Sequence, residues 1–228
     1  MKYIWILIAA ILMIGCDVNK EADNPSKGII VPAYFSDTQL WDKVLSTDID
    51  TIAVMNPANG VGESAVETYE EELNKTDSLH KIIGYIYTTY AARDIEDVKA
   101  EIDKWLELYP KINGFFFDEV SAENFEYYKE IYDYVKSKGD YLVVLNPGRR
   151  VDSEYYTIAD LIVTFEGDVS SVPEDACDHT HSALIVYNAR AEDMVRVVRN
   201  YGCDYFYVTD SGYNDLPSYF DEEIMYLK

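Results

Sequence analysis

Basic side chains are scarce in this chain of 228 residues, where 19 Lys and Arg stand against 42 Asp and Glu, for a formal net charge of −23. Binding to nucleic acid or to anionic lipid headgroups depends on a basic surface. The composition therefore argues against nucleic acid as a partner and against electrostatic docking on a membrane. The acidic excess has two interpretations, a general role in solubility and the attraction of a cationic ligand.

Histidine and cysteine are also rare, with three residues of each. His80, His179 and His181 all lie away from the ends of the predicted strands, so a Ser-His-Asp triad is not credible. The alternating segment at residues 177–181, Cys-Asp-His-Thr-His, has no partner cluster, which makes it a weak candidate for a metal site. We therefore predict neither a metal nor a cofactor.

The apolar run near the N-terminus, residues 4–14, is too short to span a bilayer as a permanent helix. It follows a basic start at residues 1–3, which is typical of a secretory signal. Residues 13–16, Met-Ile-Gly-Cys, resemble a bacterial lipobox, in which the cysteine is lipidated. We predict a lipoprotein signal peptide at residues 1–15, a lipid on Cys16 and a polar tether at residues 16–27. The alternative is an ordinary signal peptide with a chance cysteine.

These predictions place the protein outside the cytoplasmic membrane of a bacterium, in contact with the membrane only through the N-terminal lipid. In such an oxidising compartment, Cys177 and Cys203 are a candidate disulfide. They precede the seventh and the eighth predicted strand, so both should lie near the bottom of neighbouring strands. Pairing requires their Cα atoms to lie within about 7 Å of each other.

From residue 28 onward, short apolar runs alternate with amphipathic stretches. The runs suit parallel strands covered on both faces and lie at residues 29–34, 51–55, 82–87, 114–117, 141–145, 161–165, 183–187 and 205–208. The longer helices are predicted at residues 64–79, 94–108, 122–138, 191–201 and 217–227.

This order predicts an α/β fold, a single small (β/α)8 TIM barrel at residues 28–228. An open doubly wound sheet is the alternative. Its nucleotide-binding form is disfavoured, because no glycine-rich phosphate loop follows the first strand.

Two acidic positions directly follow predicted strands, Asp118-Glu119 after the fourth and Glu166 after the sixth. In a barrel the chemistry collects at these strand ends, and two carboxylates across a barrel mouth are the minimum for cleaving a glycosidic bond. Period-two alternation places Asp118 with Gly114 and Glu166 with Thr164 on the inside, and Glu119 on the other face. The alternative is that these acids only cap the following segments.

Aromatic rings and polar groups at the same strand ends suit a sugar, which has one apolar face and an edge of hydroxyls. The predicted substrate-binding residues are Tyr34, Asn56, Tyr85, Tyr87, Thr88, Tyr90, Asn146, Tyr187 and Asp210.

Seven short motifs occur in order between residue 28 and about residue 219. They are Val31-Pro32 with Tyr34, Asn56-Pro57 with Gly60 and Gly62, Gly84-Tyr85 with Thr88 and Tyr90, Gly114 with Phe117-Asp118-Glu119, Asn146-Pro147-Gly148, Asp160, and Phe165-Glu166. Together they resemble the spherulin-4 family, barrel glycoside hydrolases of the α-1,4-galactosaminidase type. The sequence departs from the family pattern at Val61 and at Phe35-Ser36, and both departures bear on substrate choice.

The resemblance implies internal cleavage of polymers of α-1,4-linked galactosamine or N-acetylgalactosamine. It assigns an acidic trio to Asp118 as nucleophile, Glu166 as acid/base and Glu119 in support, by analogy with retaining members, and the first two roles could be exchanged. We therefore predict a lipid-anchored glycoside hydrolase that acts on an amino-sugar exopolysaccharide, cationic where it is deacetylated. The alternatives are a non-catalytic sugar-binding lipoprotein on the same barrel and a structural protein of the surface or biofilm.

Overall fold

The computed structural model describes residues 27–228, so the predicted signal peptide, Cys16 and nearly all of the tether lie outside the described residues. The strands are β1 Gly28–Ala33, β2 Thr51–Met55, β3 His80–Tyr87, β4 Gly114–Asp118, β5 Leu142–Leu145, β6 Leu161–Asp168, β7 Ser182–Tyr187 and β8 Tyr205–Val208. Each strand pairs in parallel with the next, and β8 pairs with β1, which closes the barrel. The predicted (β/α)8 barrel is confirmed.

The helices lie outside this barrel, after most of the strands. They are α1 Thr38–Val44, α2 Glu67–Leu73, α3 Ile95–Leu108, α4 Phe125–Lys138, α5 Ala191–Asn200 and α6 Phe220–Leu227. Only 3-10 turns, Ser153–Thr157 and Val169–Ser171, follow β5 and β6.

Helix α2 is shorter than its predicted range of residues 64–79. Asp77 accepts hydrogen bonds from the backbone N–H groups of Leu79 and His80. Such a local side-chain bond competes with helical backbone bonds and turns the chain into β3.

The core is formed by the strands, which are buried on both faces, and by the inner faces of the helices. Every residue of β1 and β2 is buried, because the barrel interior covers one face and the helices cover the other. Gly84 on β3 lies against the ring of Trp105 from α3, where an added Cβ would come within 2.7 Å of the ring. This close packing fixes the position of β3, which carries Tyr85 toward the site described below.

The closure between β8 and β1 is short, with register pairs only at Gly28–Tyr205 and Ile29–Phe206. Further along β8, the backbone N–H of Val208 donates instead to Oε1 of Glu223 on α6, at 2.8 Å. Glu223 is fully buried, and its other carboxylate oxygen has no hydrogen-bond partner among the described residues. Burial raises the pKa of Glu223 to about 8, although the Val208 N–H acts in the opposite direction.

A disulfide joins Cys177 to Cys203, with the Cα atoms 5.0 Å apart. The predicted pairing is therefore present in the structure. Cys203 lies just before β8, so the disulfide is at the N-terminal end of the barrel. His179 from the same segment stacks on Tyr156, with the ring centroids 3.6 Å apart. Within residues 27–228, no helix is both long and apolar enough to cross a membrane.

Candidate active site

Two carboxylates meet at one amide group at the C-terminal end of the barrel. Asp118 is the last residue of β4, Glu166 lies on β6, and Asn146 directly follows β5. Nδ2 of Asn146 donates to Oδ1 of Asp118 at 2.7 Å and to Oε2 of Glu166 at 2.5 Å. These two carboxylate oxygens are therefore at most about 5.2 Å apart, the combined length of the two bonds.

The orientation of the Asn146 side chain follows from its other hydrogen bond. Its Oδ1 accepts from the backbone N–H of Gly148 at 3.0 Å, which leaves both hydrogens of Nδ2 for the two carboxylates. Asn146 is 4 % exposed. A buried amide with all of these groups paired is a rigid spacer between Asp118 and Glu166.

Each carboxylate also accepts a hydrogen bond from a tyrosine. The hydroxyl of Tyr85 donates to Asp118, and the hydroxyl of Tyr213 donates to Glu166, both at 2.7 Å. The ring of Tyr34 stands edge-on to both tyrosines, with centroid separations of 5.6 and 5.7 Å. Burial and the nearby carboxylates raise the pKa of Tyr34, Tyr85 and Tyr213, so these hydroxyls keep their protons.

Glu166 is electrostatically suited to hold a proton. Burial, and to a smaller extent the nearby Asp118 carboxylate, raises its pKa, whereas the hydrogen bonds from Tyr213 and Asn146 lower it. The net direction is upward. A carboxylic acid with a raised pKa can act as a general acid near neutral pH.

The carboxylates open into a cleft with two lobes. The first lobe, about 410 Å³, is lined by Tyr90, Asp118, Glu119, Asn146, Pro147, Gly148, Glu166 and Tyr187. The second lobe, about 490 Å³, is lined by Glu166, Tyr187, Asn188, Asp210, Ser211, Gly212 and Tyr213. Glu166 and Tyr187 belong to both lobes, so they form the boundary between them.

The backbone around the first lobe is held in a left-handed conformation at several non-glycine residues. Thr89, Tyr90 and Ala91 have φ values of 50°, 52° and 67°, and Glu119 has a φ of 53°. This conformation is strained for such residues and is frequent at functional sites. The carbonyl of Glu119 accepts from the N–H of Tyr90 at 2.7 Å, which ties the two segments together. The Tyr90 ring is thereby presented to solvent, 64 % exposed.

The predicted inward pair, Asp118 and Glu166, is found together, but the alternation argument was wrong in two places. Glu119 lines the same lobe as Asp118, because the chain has already left β4 in a left-handed turn. A register shift between Val163 and Phe165 inserts Thr164 into β6 as an extra residue. Thr164 therefore does not indicate the direction of Glu166.

Four of the predicted substrate-binding residues, Asn146, Tyr90, Tyr187 and Asp210, line the lobes. Asp210 is also held in place by the N–H and the hydroxyl of Ser218. Tyr34 and Tyr85 line neither lobe, but Tyr85 donates to Asp118 and the Tyr34 ring packs against the Tyr85 ring.

The structure assigns different roles to three predicted substrate-binding residues. Thr88 is fully buried and donates to the backbone carbonyls of Asp118 and Glu119, so the prediction that it contacts a ligand was wrong. Asn56 accepts from the N–H of Gly60 and stabilises the loop after β2. The Tyr87 ring lies under the Arg93 guanidinium, at 4.7 Å.

Tyr213 was missed by the sequence analysis. It lies three residues beyond Asp210, in a loop rather than at a strand end, and 47 positions from Glu166. The available signal was the aromatic residue in the loop after β8, but only the folded loop brings it to Glu166. Within residues 27–228, no group of three or more His, Cys, Asp or Glu side chains is arranged to hold a metal ion.

Known proteins resemble this chain over nearly its whole described length. The profile of the spherulation-specific family 4 matches residues 28–227. The chain belongs to this family. Spherulin-4 from Physarum polycephalum is 35 % identical over an alignment of 173 residues, and the match covers 72 % of this chain and 52 % of that protein. The chain thus spans about half the length of this curated relative.

A solved structure of the same architecture is that of Sph3 from Aspergillus clavatus, determined in complex with GalNAc. It superposes with a TM-score of 0.75 at 25 % sequence identity, covering 89 % of this chain and 98 % of Sph3. The resemblance to the spherulin-4 family drawn from the seven motifs is therefore confirmed.

Proposed function

We propose that this chain is a retaining glycoside hydrolase in which Asp118 is the nucleophile and Glu166 the acid/base. The observation that carries the proposal is the single Asn146 amide bonded to both carboxylates, which keeps their facing oxygens no more than about 5.2 Å apart and leaves no room for a water between them. Retaining enzymes place their carboxyl groups about 5–5.5 Å apart, whereas inverting enzymes need roughly 6.5–9.5 Å to admit a water.

The proposed reaction has two steps. In the first, Asp118 attacks the anomeric carbon, the bond to the glycosidic oxygen breaks, and Glu166 gives its proton to that oxygen. In the second, Glu166 takes a proton from water, the water oxygen attacks the anomeric carbon, and Asp118 is released. The raised pKa of Glu166 supports its role as the acid. Tyr85, Tyr213 and Asn146 hold the carboxylates in place.

The proposed substrate is a polymer of α-1,4-linked galactosamine or N-acetylgalactosamine, cleaved internally. Membership of the family and the similarity to Sph3, a protein solved with GalNAc, support an amino sugar. Exposed rings of Tyr90 and Tyr187 offer apolar faces for pyranose rings. The net charge of −23 supports attraction of a deacetylated, cationic polymer. Its cleavage should then slow as salt is raised, because salt screens the attraction.

The proposal is tested by incubating the purified full chain with acetylated and with deacetylated α-1,4-galactosamine polymers. We expect new reducing ends, and NMR should show α-configured ends in the first products. First products of β configuration would overturn the retaining mechanism. A folded protein that binds either polymer but releases no ends would instead be a sugar-binding protein.

We also propose that Cys16 anchors the protein outside the cytoplasmic membrane. The support is the signal-like sequence of residues 1–16. Mass spectrometry of the protein from bacterial membranes should show a lipid on an N-terminal Cys16, and Cys16→Ser should release the protein from the membrane. An unmodified chain that begins elsewhere would contradict the anchor.

A further inference from the structure

The second lobe of the cleft contains one member of the carboxylate pair but not the other. Glu166 and Tyr187 line both lobes, Asp118 and Glu119 line only the first, and Asn188, Asp210 and Ser211 line only the second. The two lobes therefore differ in the chemistry that a bound chain would meet on either side of Glu166.

This asymmetry bears on where each half of a polysaccharide lies. The nucleophile must contact the anomeric carbon, so the sugar that becomes bonded to the enzyme lies over Asp118, in the first lobe. The acid must contact the glycosidic oxygen, which leaves with the other half of the chain. The departing half thus extends beyond Glu166, away from Asp118.

We propose that the second lobe is the leaving-group subsite, which binds the pyranose residue on the far side of the bond being cleaved. The assignment rests on the proposed function and adds to it the direction in which the polymer crosses the cleft. The volume of the second lobe, about 490 Å³, is within the range of pockets that bind small molecules.

The polar groups of the second lobe are already held in place. Nδ2 of Asn188 donates to Asp168 at 2.8 Å, and Asp210 accepts two hydrogen bonds from Ser218. Each still has polar capacity left, since an amide and a carboxylate form several hydrogen bonds. They offer donors and acceptors to the hydroxyl and amino groups of a pyranose, next to the ring of Tyr187.

The test uses two substrates that share the first-lobe half but differ in the leaving group. One is the α-1,4-galactosamine polymer, and the other is a nitrophenyl α-glycoside of a short oligomer of the same sugar, which releases a phenol. The variants are Asn188→Gly, which suits the left-handed backbone at φ 55°, and Asp210→Asn, which keeps the side-chain shape. The matched control is Asn200→Gly, an exposed residue at the other end of the barrel.

We expect each variant to lower kcat/KM for the polymer about fivefold to tenfold, the effect of losing one hydrogen bond to the leaving sugar. The nitrophenyl glycoside should be hydrolysed within twofold of wild type, because its leaving group makes no such bond. The enzyme can also transfer its covalently bound sugar to an added galactosamine oligomer. The rate of this transfer should fall by about the same factor as the rate of polymer cleavage, since the acceptor binds in the second lobe. The control should leave all three rates unchanged.

Two results would overturn the subsite while leaving the proposed hydrolase intact. One is an equal loss of kcat/KM on the polymer and on the nitrophenyl glycoside. The other is unchanged polymer cleavage and unchanged sugar transfer in both variants. A wild-type protein inert on both substrates would overturn the proposed function, and the subsite with it. An active wild type therefore distinguishes the two failures.

Discussion

The two ends of the barrel differ in what their polar groups do. At the C-terminal end, Asp118, Asn146 and Glu166 bond to one another beside lobes of about 410 and 490 Å³. At the N-terminal end lies a larger cavity, about 640 Å³. Its lysine, Lys27, is already bonded to the backbone carbonyls of Val198 and Tyr201. Converging, mutually bonded groups therefore locate a site better than cavity volume does.

The ends also differ in what stabilises them. The Cys177–Cys203 disulfide lies at the N-terminal end, whereas the left-handed turn at residues 89–91 and the half-buried carboxylates of the cleft lie at the C-terminal end. Strain and buried charge are costs that a protein accepts where chemistry is performed. Substitutions at the C-terminal end should therefore alter activity, and those at the N-terminal end should alter stability.

The largest expected effect is the loss of activity when either carboxylate becomes an amide. Asp118→Asn and Glu166→Gln should each lower kcat about a thousandfold, because one removes the nucleophile and the other the proton donor. Steady-state cleavage of the polymer measures this loss. Asp140→Asn, at an exposed acid, is the matched control. A loss below tenfold in either variant would contradict the assigned chemistry.

Glu223 lies near the C-terminal end of β8, where it binds the N–H of Val208, but it is fully buried and does not line the cleft. The pKa of Glu223 is about 8 in the folded protein, against an ordinary value of 4.5 that applies to the unfolded chain. Between these two pH values, Glu223 is protonated in the folded state and ionised in the unfolded state. Stability should then fall as pH rises from about 4.5 to 8, by up to about 1.4 kcal/mol per pH unit. Glu223→Gln should remove this slope.

Urea unfolding at several pH values measures the effect of Glu223→Gln on the free energy of unfolding. The neighbouring exposed Glu222 provides the control Glu222→Gln, which should keep the wild-type slope. Parallel stability curves for wild type and Glu223→Gln would show that Glu223 is not protonated in the folded state.

Removing the disulfide tests the N-terminal end. Cys177→Ala with Cys203→Ala opens a loop of sequence separation 26, which should lower the free energy of unfolding by about 3 kcal/mol. Polymer cleavage at 20 °C should stay within about twofold of wild type, since the bridge is remote from Asp118 and Glu166. A folded double variant that has lost its activity would break the separation between the two ends.

Tyr213→Phe tests the hydrogen bond to Glu166. The variant should lower kcat about tenfold, as expected for one lost bond to the negative charge that develops on Glu166 as it gives up its proton. The donated bond lowers the pKa of Glu166, so its removal should raise that pKa further. Activity needs protonated Glu166 and is lost as pH rises through its pKa. The high-pH side of the pH–activity profile, its basic limb, should therefore move to higher pH in the variant.

The pH profile of kcat/KM is the decisive measurement for Tyr213→Phe, because a purely structural defect would lower the rate without moving the limb. Tyr226→Phe, at a partly exposed tyrosine on α6, should change neither quantity. A fixed basic limb in Tyr213→Phe would show that this hydroxyl does not control Glu166.

The smallest effect is expected at the large N-terminal cavity. Arg199 and Asn200 line this cavity. Arg199→Ala and Asn200→Gly should leave polymer cleavage within about twofold of wild type. A severalfold loss of activity in the folded variants would show that this cavity takes part in function.

Much of this site could be predicted from local sequence. Asp118 and Glu166 follow or end apolar runs, and such runs become strands whose C-terminal ends meet at one edge of the barrel. The prediction failed where the chain leaves regular geometry, as at Glu119 in its left-handed turn and at the extra Thr164 in β6. Burial of Thr88 also escaped prediction, because it depends on packing by Tyr128 from α4.

The barrel and the end at which its acids collect follow from the order of the residues alone, because alternating apolar runs and amphipathic stretches permit few other ways to bury the apolar surface. The folded structure was needed to show that Asn146 separates the two carboxylates, that Tyr213 contacts Glu166, and that the cleft divides into two lobes. These relations join residues far apart in the chain, and their distances exist only once the barrel has closed.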